Sequence, residues 1–150
     1  MTYVEEVATA EPICTAQKFE RVSKFNIQSL KPNEIFVFGS NELGRHGKGA
    51  ALAAIQKFGA KCGVGYGLQG QSFAIPTKSN PYDSLPIGEI KIYVDQFIEF
   101  AKENKHLIFM ITEIGCGLAR FKVEQIAPLF TNAINLENIY LPKRFVEVIK

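Results

Sequence analysis

The chain has 150 residues, of which 47% are hydrophobic and 21% are charged, and its formal net charge is +2. This composition predicts one globular domain with a sizeable core and excludes a chain in which disorder dominates. The small net charge identifies no partner, and no concentrated basic stripe in the sequence indicates a nucleic-acid footprint.

The amino-terminal segment, residues 1–22, has no sustained hydrophobic periodicity and contains Pro12. We therefore assign residues 1–22 to an extension for which no fold is predicted, and residues 23–150 to the domain. The segment is acidic where a signal peptide needs a basic start, and no apolar run reaches membrane-spanning length. We expect a cytoplasmic protein with no membrane partner.

The three cysteines, Cys14, Cys62 and Cys116, are far apart and form no Cys-x-x-Cys pair. Any disulfide scheme would leave one of them unpaired, so we predict reduced thiols. The same spacing supports no zinc site, and we predict neither a metal nor a cofactor.

Strand and helix patterns alternate along the rest of the chain. The predicted strands are 35–38, 72–76 (closed by Pro76), 107–112 and 139–141, and the predicted helices are 49–58, 90–101 and 126–133. The run Leu107–Thr112 is apolar almost throughout, as in an interior strand covered on both faces. The pattern predicts a three-layer α/β/α fold with a mostly parallel or mixed central sheet, in which ligands bind beyond the carboxyl ends of the strands.

Two glycine-rich segments follow predicted strands and precede predicted helices. The first loop is residues 39–49, "GSNELGRHGKG", and the second loop is residues 113–121, "EIGCGLARF". Amides at a helix start are unpaired donors, so the two loops could together grip a diphosphate. The alternative is that the glycines only make tight turns, since neither loop fits the P-loop or the Gly-x-Gly-x-x-Gly spacing.

The order of three motifs, "FGSN…GRHGKGAA", "YGLQGQSFAIPTK" and "IGCGLARF…IAPLF", resembles a macrodomain-like group found in bacteria and phages. The resemblance covers roughly residues 25 to 145. It implies a macrodomain-like fold that binds ADP-ribose, or an ADP-ribosylated macromolecule, at the strand ends.

The resemblance also implies roles for particular residues. Asn41 matches the asparagine beside the distal ribose, which makes it the one candidate catalytic residue, and Asn26 and Ile27 stand where the family has an Asp-Ile pair at adenine. The remaining implied ligand-binding residues are Ser40, Gly47, Gly49, Ala50, Gly115, Cys116, Gly117, Leu118, Ala119, Arg120 and Phe121. Two positions depart from the family: Asn26 has no charge, and Arg120 replaces a small residue, so that it would either pair with a phosphate or narrow the cleft.

Each chemical candidate has a structural alternative. Asparagine at a strand end often bonds nearby backbone in a turn, and it is a poor proton-transfer group. Cys116 is either a nucleophile or a small apolar thiol, and Glu113 is either an acid-base group or an exposed loop carboxylate. Because no acid-base pair is evident, we favour a binding function over a hydrolase that removes ADP-ribose from proteins or nucleic acid. A structural or partner-binding protein without a pocket is the third alternative.

Overall fold

A six-stranded sheet forms the centre of the domain. The computed structural model describes residues 21–149, so most of the predicted extension, residues 1–20, lies outside the described residues. The strands are β1 (Val22–Ser23), β2 (Glu34–Asn41), β3 (Gly67–Gln69), β4 (Ser72–Lys78), β5 (Ile108–Ile111) and β6 (Ile139–Pro142), in the spatial order β1-β6-β5-β2-β4-β3. Every neighbouring pair is parallel except β3 with β4.

The helices cover both faces of the sheet. They are α1 (Gly49–Lys57), α2 (Ile87–Glu103), α3 (Val123–Ile126), the 3-10 helix (Ala127–Ala133) and α4 (Lys143–Ile149). Phe36 and Phe38 of β2 pack against α1, whereas Ile35 and Val37, one residue out of step, join the larger core with the other helices. This alternation follows from the two-residue period of a strand. The predicted three-layer α/β/α fold with a mostly parallel sheet is confirmed.

The two faces differ in how completely they are covered. Phe109 and Ile111 of β5 are fully buried on the side of the larger core, but Ile108 and Met110 on the other side are only half-buried. The prediction that this strand is covered on both faces was therefore only half right. The physical reason is that α1 is the one helix packed on that face among the described residues, and it covers β2 and β4.

Pro76 does not close its strand, contrary to the prediction. It lies inside β4, which continues to Lys78, and it is paired in register with Ser40 of β2. The neighbouring strand β3 reaches only as far as Gly67, opposite Ala74. Because β3 has already ended at this level of β4, Pro76 has no strand partner on the β3 side that would need its missing N–H.

Four elements were not predicted, namely β1, β3, α3 and α4, although the last residue of α3, Ile126, is the first residue of a predicted helix. Arg21 and Val22, which the sequence placed in the extension, contact the domain: Val22 pairs with Leu141, and the Arg21 guanidinium donates to the carbonyls of Ile134 and Leu136. The predicted helix over 126–133 is mostly a 3-10 helix with Pro128 near its start, where a helix tolerates the missing N–H.

Candidate functional site

The carboxyl ends of five parallel strands place several loops along one edge of the sheet. The first loop leaves β2 and enters α1, and the second loop leaves β5 and enters α3. Since β2 and β5 are neighbours in the sheet, the two loops lie side by side. The alternation of strand and helix positions both of them, as the sequence predicted.

The two loops approach each other closely at their glycines. A Cβ built on Gly39 would lie 3.4 Å from the Gly115 nitrogen, and one on Gly49 would lie 3.7 Å from the Leu118 Cδ1 atom. Gly49 and Gly115 also have positive φ angles of 62° and 79°, which glycine adopts at no steric cost. Larger residues at these positions would strain the backbone.

Both loops carry backbone amides without a protein acceptor. Within residues 21–149, no carbonyl or side chain accepts from the amides of Gly49, Ala50 and Ala51 at the start of α1. The same holds for Gly117, Leu118 and Ala119 in the second loop. Helix α1 has no acidic residue in its first turn and no side-chain cap. Two adjacent groups of donors are therefore available to an anion.

Space is open around two other loop glycines. A Cβ on Gly47 or Gly117 would meet no heavy atom within 4 Å, and both residues are exposed. Neither residue has a positive φ angle. Substitution at Gly117 is therefore compatible with the fold, which makes it the best position for testing what binds here.

Asn41 uses its side chain to hold the first loop together. Its Nδ2 group donates to the Arg45 carbonyl at 2.9 Å, and its Oδ1 atom accepts from the Arg45 amide at 3.1 Å. Asn41 is also buried. The turn that the sequence left open as an alternative is thus present. The ribose contact stays a prediction, and it would use the second N–H of Nδ2 and the second lone pair of Oδ1.

A supporting segment, residues 61–66, packs beneath the first loop. The Ser40 hydroxyl donates to the Gly65 carbonyl, and the Gly63 amide donates to the Gly44 carbonyl at 2.8 Å. A Cβ on Gly44 would lie only 2.3 Å from the Val64 nitrogen. The backbones therefore touch directly, and Ser40 serves this contact rather than the surface of the cleft.

The predicted adenine pair lies on the chain between β1 and β2. Asn26 is exposed and accepts a hydrogen bond from the Gln28 side chain at 2.8 Å. Ile27 is half-buried against the cluster of Phe36, Phe38 and α1. The structure records no contact between this pair and the two loops, so the adenine role stays a prediction.

The candidate proton-transfer groups are all engaged or protonated. Burial and the nearby Glu113 raise the pKa of the Cys116 thiol to about 11, so it is protonated at neutral pH and is a poor nucleophile. The Glu113 carboxylate accepts from Arg144 Nε and a terminal guanidinium nitrogen at 2.7 and 2.5 Å. Burial lowers the pKa of His46, whose Nε2 donates to the Val64 carbonyl at 3.1 Å. This arrangement favours binding over proton transfer.

Arg120 is exposed, and it is the one non-glycine residue with a positive φ among those described, at 67°. A left-handed conformation costs a residue with a Cβ about 1–2 kcal/mol. We therefore expect Arg120→Gly to be more stable than Arg120→Ala by about 1 kcal/mol, the reverse of the usual order. Urea unfolding followed by circular dichroism measures the difference. If the alanine variant were the more stable one, Arg120 would not be strained.

A third loop, which the sequence did not single out, supports the second. Ser84, just before α2, donates its hydroxyl to the Ala119 carbonyl at 2.9 Å, and Lys78 and Ser84 form an isolated bridge. Phe121 donates its amide to the Gly115 carbonyl at 2.8 Å and is half-buried. The turn residues of "KSNPYDS" are the signal that could have indicated an ordered loop here.

Two cavities lie away from the two loops. One, of about 230 Å³, is lined mainly by apolar residues of β6, α4 and the chain just after the 3-10 helix. Another, of about 510 Å³, lies between Tyr66 and α2. Neither is lined by residues of the first or second loop. Because the unpaired amides belong to the loops, we place the candidate site there and not in the cavities.

Within residues 21–149, no helix has the length and apolar character needed to cross a membrane, and no group of His, Cys, Asp and Glu could hold a metal. Comparison of the chain with family models, curated proteins and solved structures finds no match. Any function assigned to this protein must therefore be inferred from the geometry of the loops.

Proposed function

We propose that the protein binds ADP-ribose, or a related nucleotide diphosphate, between the first and second loops. The observation that supports this proposal most is the pair of adjacent amide groups, at Gly49–Ala51 and Gly117–Ala119, that have no acceptor within the described residues. Four of these six residues, Gly49, Ala50, Gly117 and Leu118, are exposed, so an anionic ligand can reach their N–H groups and replace the water bound there.

A diphosphate suits this arrangement better than a single phosphate. The two donor groups lie on separate loops that approach each other closely, Gly39 towards Gly115 and Gly49 towards Leu118. Each phosphate would accept from one group, and the helix dipole of α1 favours negative charge at its start. Arg120, exposed on the second loop, would add a cation that can bind a phosphate oxygen.

Binding without turnover is the form of the proposal that the side chains support. Cys116 is protonated at neutral pH, and Glu113 is occupied by Arg144. Asn41 is held by the Arg45 backbone and lacks a titratable group. Hydrolysis would therefore need a water positioned without a general base from these residues.

Thermal denaturation with ADP-ribose, ADP, NAD and cyclic nucleotides tests the proposal. A ligand at 100 times its dissociation constant stabilises the folded state by about 2.7 kcal/mol, which for a domain of this size raises Tm by roughly 8 °C. We expect this shift with ADP-ribose and a smaller shift with cyclic nucleotides, which carry one phosphate. The absence of a shift with every nucleotide would contradict the proposal.

A further inference from the structure

The carboxyl edge of the sheet is rich in exposed aromatic and basic side chains. Phe25 follows β1 and Tyr82 follows β4, and each is 89% exposed, more than any other large hydrophobic side chain among the described residues. Single exposed rings are common on protein surfaces, so these two support a binding surface only together with the basic side chains that share their edge of the sheet.

Exposed basic side chains lie between these rings. Along the edge from β1 to β4, the residues that follow the strands include Lys24 after β1, Lys143 after β6, Arg120 and Lys122 after β5, and Arg45 and Lys48 after β2. None of these six forms an ion pair with another described residue, since the recorded pairs are Lys91–Asp95, Lys102–Glu99 and Arg144–Glu113. The sequence shows no basic stripe because these residues are dispersed, and the parallel sheet collects them at one edge.

The acidic residues of the same loops are already engaged. Glu42 accepts from the Tyr93 hydroxyl at 2.6 Å, Asp83 accepts from the side-chain Nδ2 group of Asn80 at 3.0 Å, and Glu113 pairs with Arg144. These hydrogen bonds leave the charges of the carboxylates in place, but the six basic residues and Arg144 outnumber Glu42, Asp83, Glu113 and Glu124 by seven to four. The net charge of the edge is therefore positive, although the whole chain carries only +2. An anionic partner is favoured at this edge.

Tyr82 is presented by a preorganised turn. The Asn80 Oδ1 atom accepts from the Tyr82 amide at 2.8 Å and from the Asp83 amide at 3.1 Å. The backbone of Tyr82 is thus held while its ring stays in solvent. A partner that stacks on this ring would order little of the chain, which lowers the entropic cost of binding.

From these observations we infer that the carboxyl edge binds single-stranded nucleic acid. Phe25 and Tyr82 would each stack on an unpaired base, and the lysines and arginines between them would bind the backbone phosphates. Four β-strand spacings separate β1 from β4, which is about 19 Å at ~4.8 Å each. One short single-stranded oligonucleotide can therefore reach both rings. A duplex is disfavoured because its stacked bases are not accessible to the rings. This inference does not rest on ADP-ribose binding.

Fluorescence anisotropy with a labelled 12-nucleotide oligothymidylate tests the inference. We expect Phe25→Ala and Tyr82→Ala each to weaken binding about tenfold, since one stacked base is worth ~1–3 kcal/mol. Leu68→Ala is the matched control, because Leu68 is 45% exposed and pairs with Phe73 near the amino end of β4, so its removal should leave the affinity unchanged. A 12-base-pair duplex should bind at least tenfold more weakly.

The phosphate contacts are tested by the salt dependence of the same binding. Each lysine removed from the edge, as in Lys24→Gln or Lys122→Gln, should reduce the slope of log affinity against log salt by ~0.7. Lys105→Gln, an exposed lysine just before β5, should leave the slope unchanged. Failure of ADP-ribose binding alone would not affect these results, so the two proposals are separable.

Three results would overturn the inference. One is the absence of oligonucleotide binding at 50 mM salt, and another is parent-like affinity in both aromatic variants. The third is displacement of the oligonucleotide by polyglutamate as readily as by unlabelled oligothymidylate, which would make the edge a general polyanion or acidic-protein surface.

Discussion

Gly117→Glu should reduce the affinity for ADP-ribose at least 100-fold while leaving the domain folded. A negative charge about 4 Å from a phosphate costs roughly 4 kcal/mol at an effective dielectric constant of 20. The fold should tolerate the change, because a Cβ at Gly117 meets no atom within 4 Å and its φ angle is not positive. Calorimetry measures the affinity, and circular dichroism with thermal melting measures the fold.

Two control variants at Gly117 separate charge from bulk, and a third tests a neighbouring lysine. The side chain in Gly117→Gln has nearly the size of glutamate without its charge, and Gly117→Ala adds only the Cβ. Both variants should therefore bind ADP-ribose more tightly than Gly117→Glu. Lys48→Ala should weaken binding only modestly, since an exposed charge is screened over ~8 Å at physiological salt. A folded Gly117→Glu variant that binds like the parent would falsify the placement of the phosphates at the second loop. Loss of binding in Lys48→Ala alone would indicate a lysine-centred anion site.

Gly44→Ala should destabilise the domain by about 3 kcal/mol or more. Gly44 has a φ angle of 73°, and a Cβ there would lie 2.3 Å from the Val64 nitrogen and 2.4 Å from the Gly63 carbonyl carbon. The left-handed conformation costs alanine ~1–2 kcal/mol, and forcing the backbones apart adds ~1–3 kcal/mol. Urea unfolding followed by circular dichroism measures the loss.

Gly63→Ala is the matched control for this contact. Gly63 also has a left-handed φ angle, of 90°, but a Cβ there would meet nothing within 4 Å. Only the conformational cost of ~1–2 kcal/mol should remain. If the two alanine variants were equally stable, the contact between the first loop and the supporting segment would not contribute to the fold.

The sequence predicted the layers of this fold because the strand and helix periods are strong over long segments. The stripe from Ile90 to Ala101 is buried in α2, whose full extent is Ile87–Glu103. The short elements were missed for a physical reason. β1 has two residues and β3 has three, and each is determined by pairing with a distant strand rather than by its own pattern.

The site could be predicted only in part. The glycine pattern located both loops, but the use of Asn41 to close the first loop depends on backbone geometry that no residue pattern shows. The pairing of Glu113 with Arg144 was equally hidden, because the partners are 31 residues apart and meet only when β6 is placed beside β5. The basic edge was missed because its charges come from separate loops.

Calorimetric titration of the parent protein with ADP-ribose and with ribose-5-phosphate tests the central claim most directly. If each loop binds one phosphate, ADP-ribose should bind at least ten times more tightly than ribose-5-phosphate, a difference in binding free energy of at least ~1.4 kcal/mol. Equal affinities, or no binding of either compound, would contradict the account in which the amides of Gly49–Ala51 and Gly117–Ala119 together hold a diphosphate.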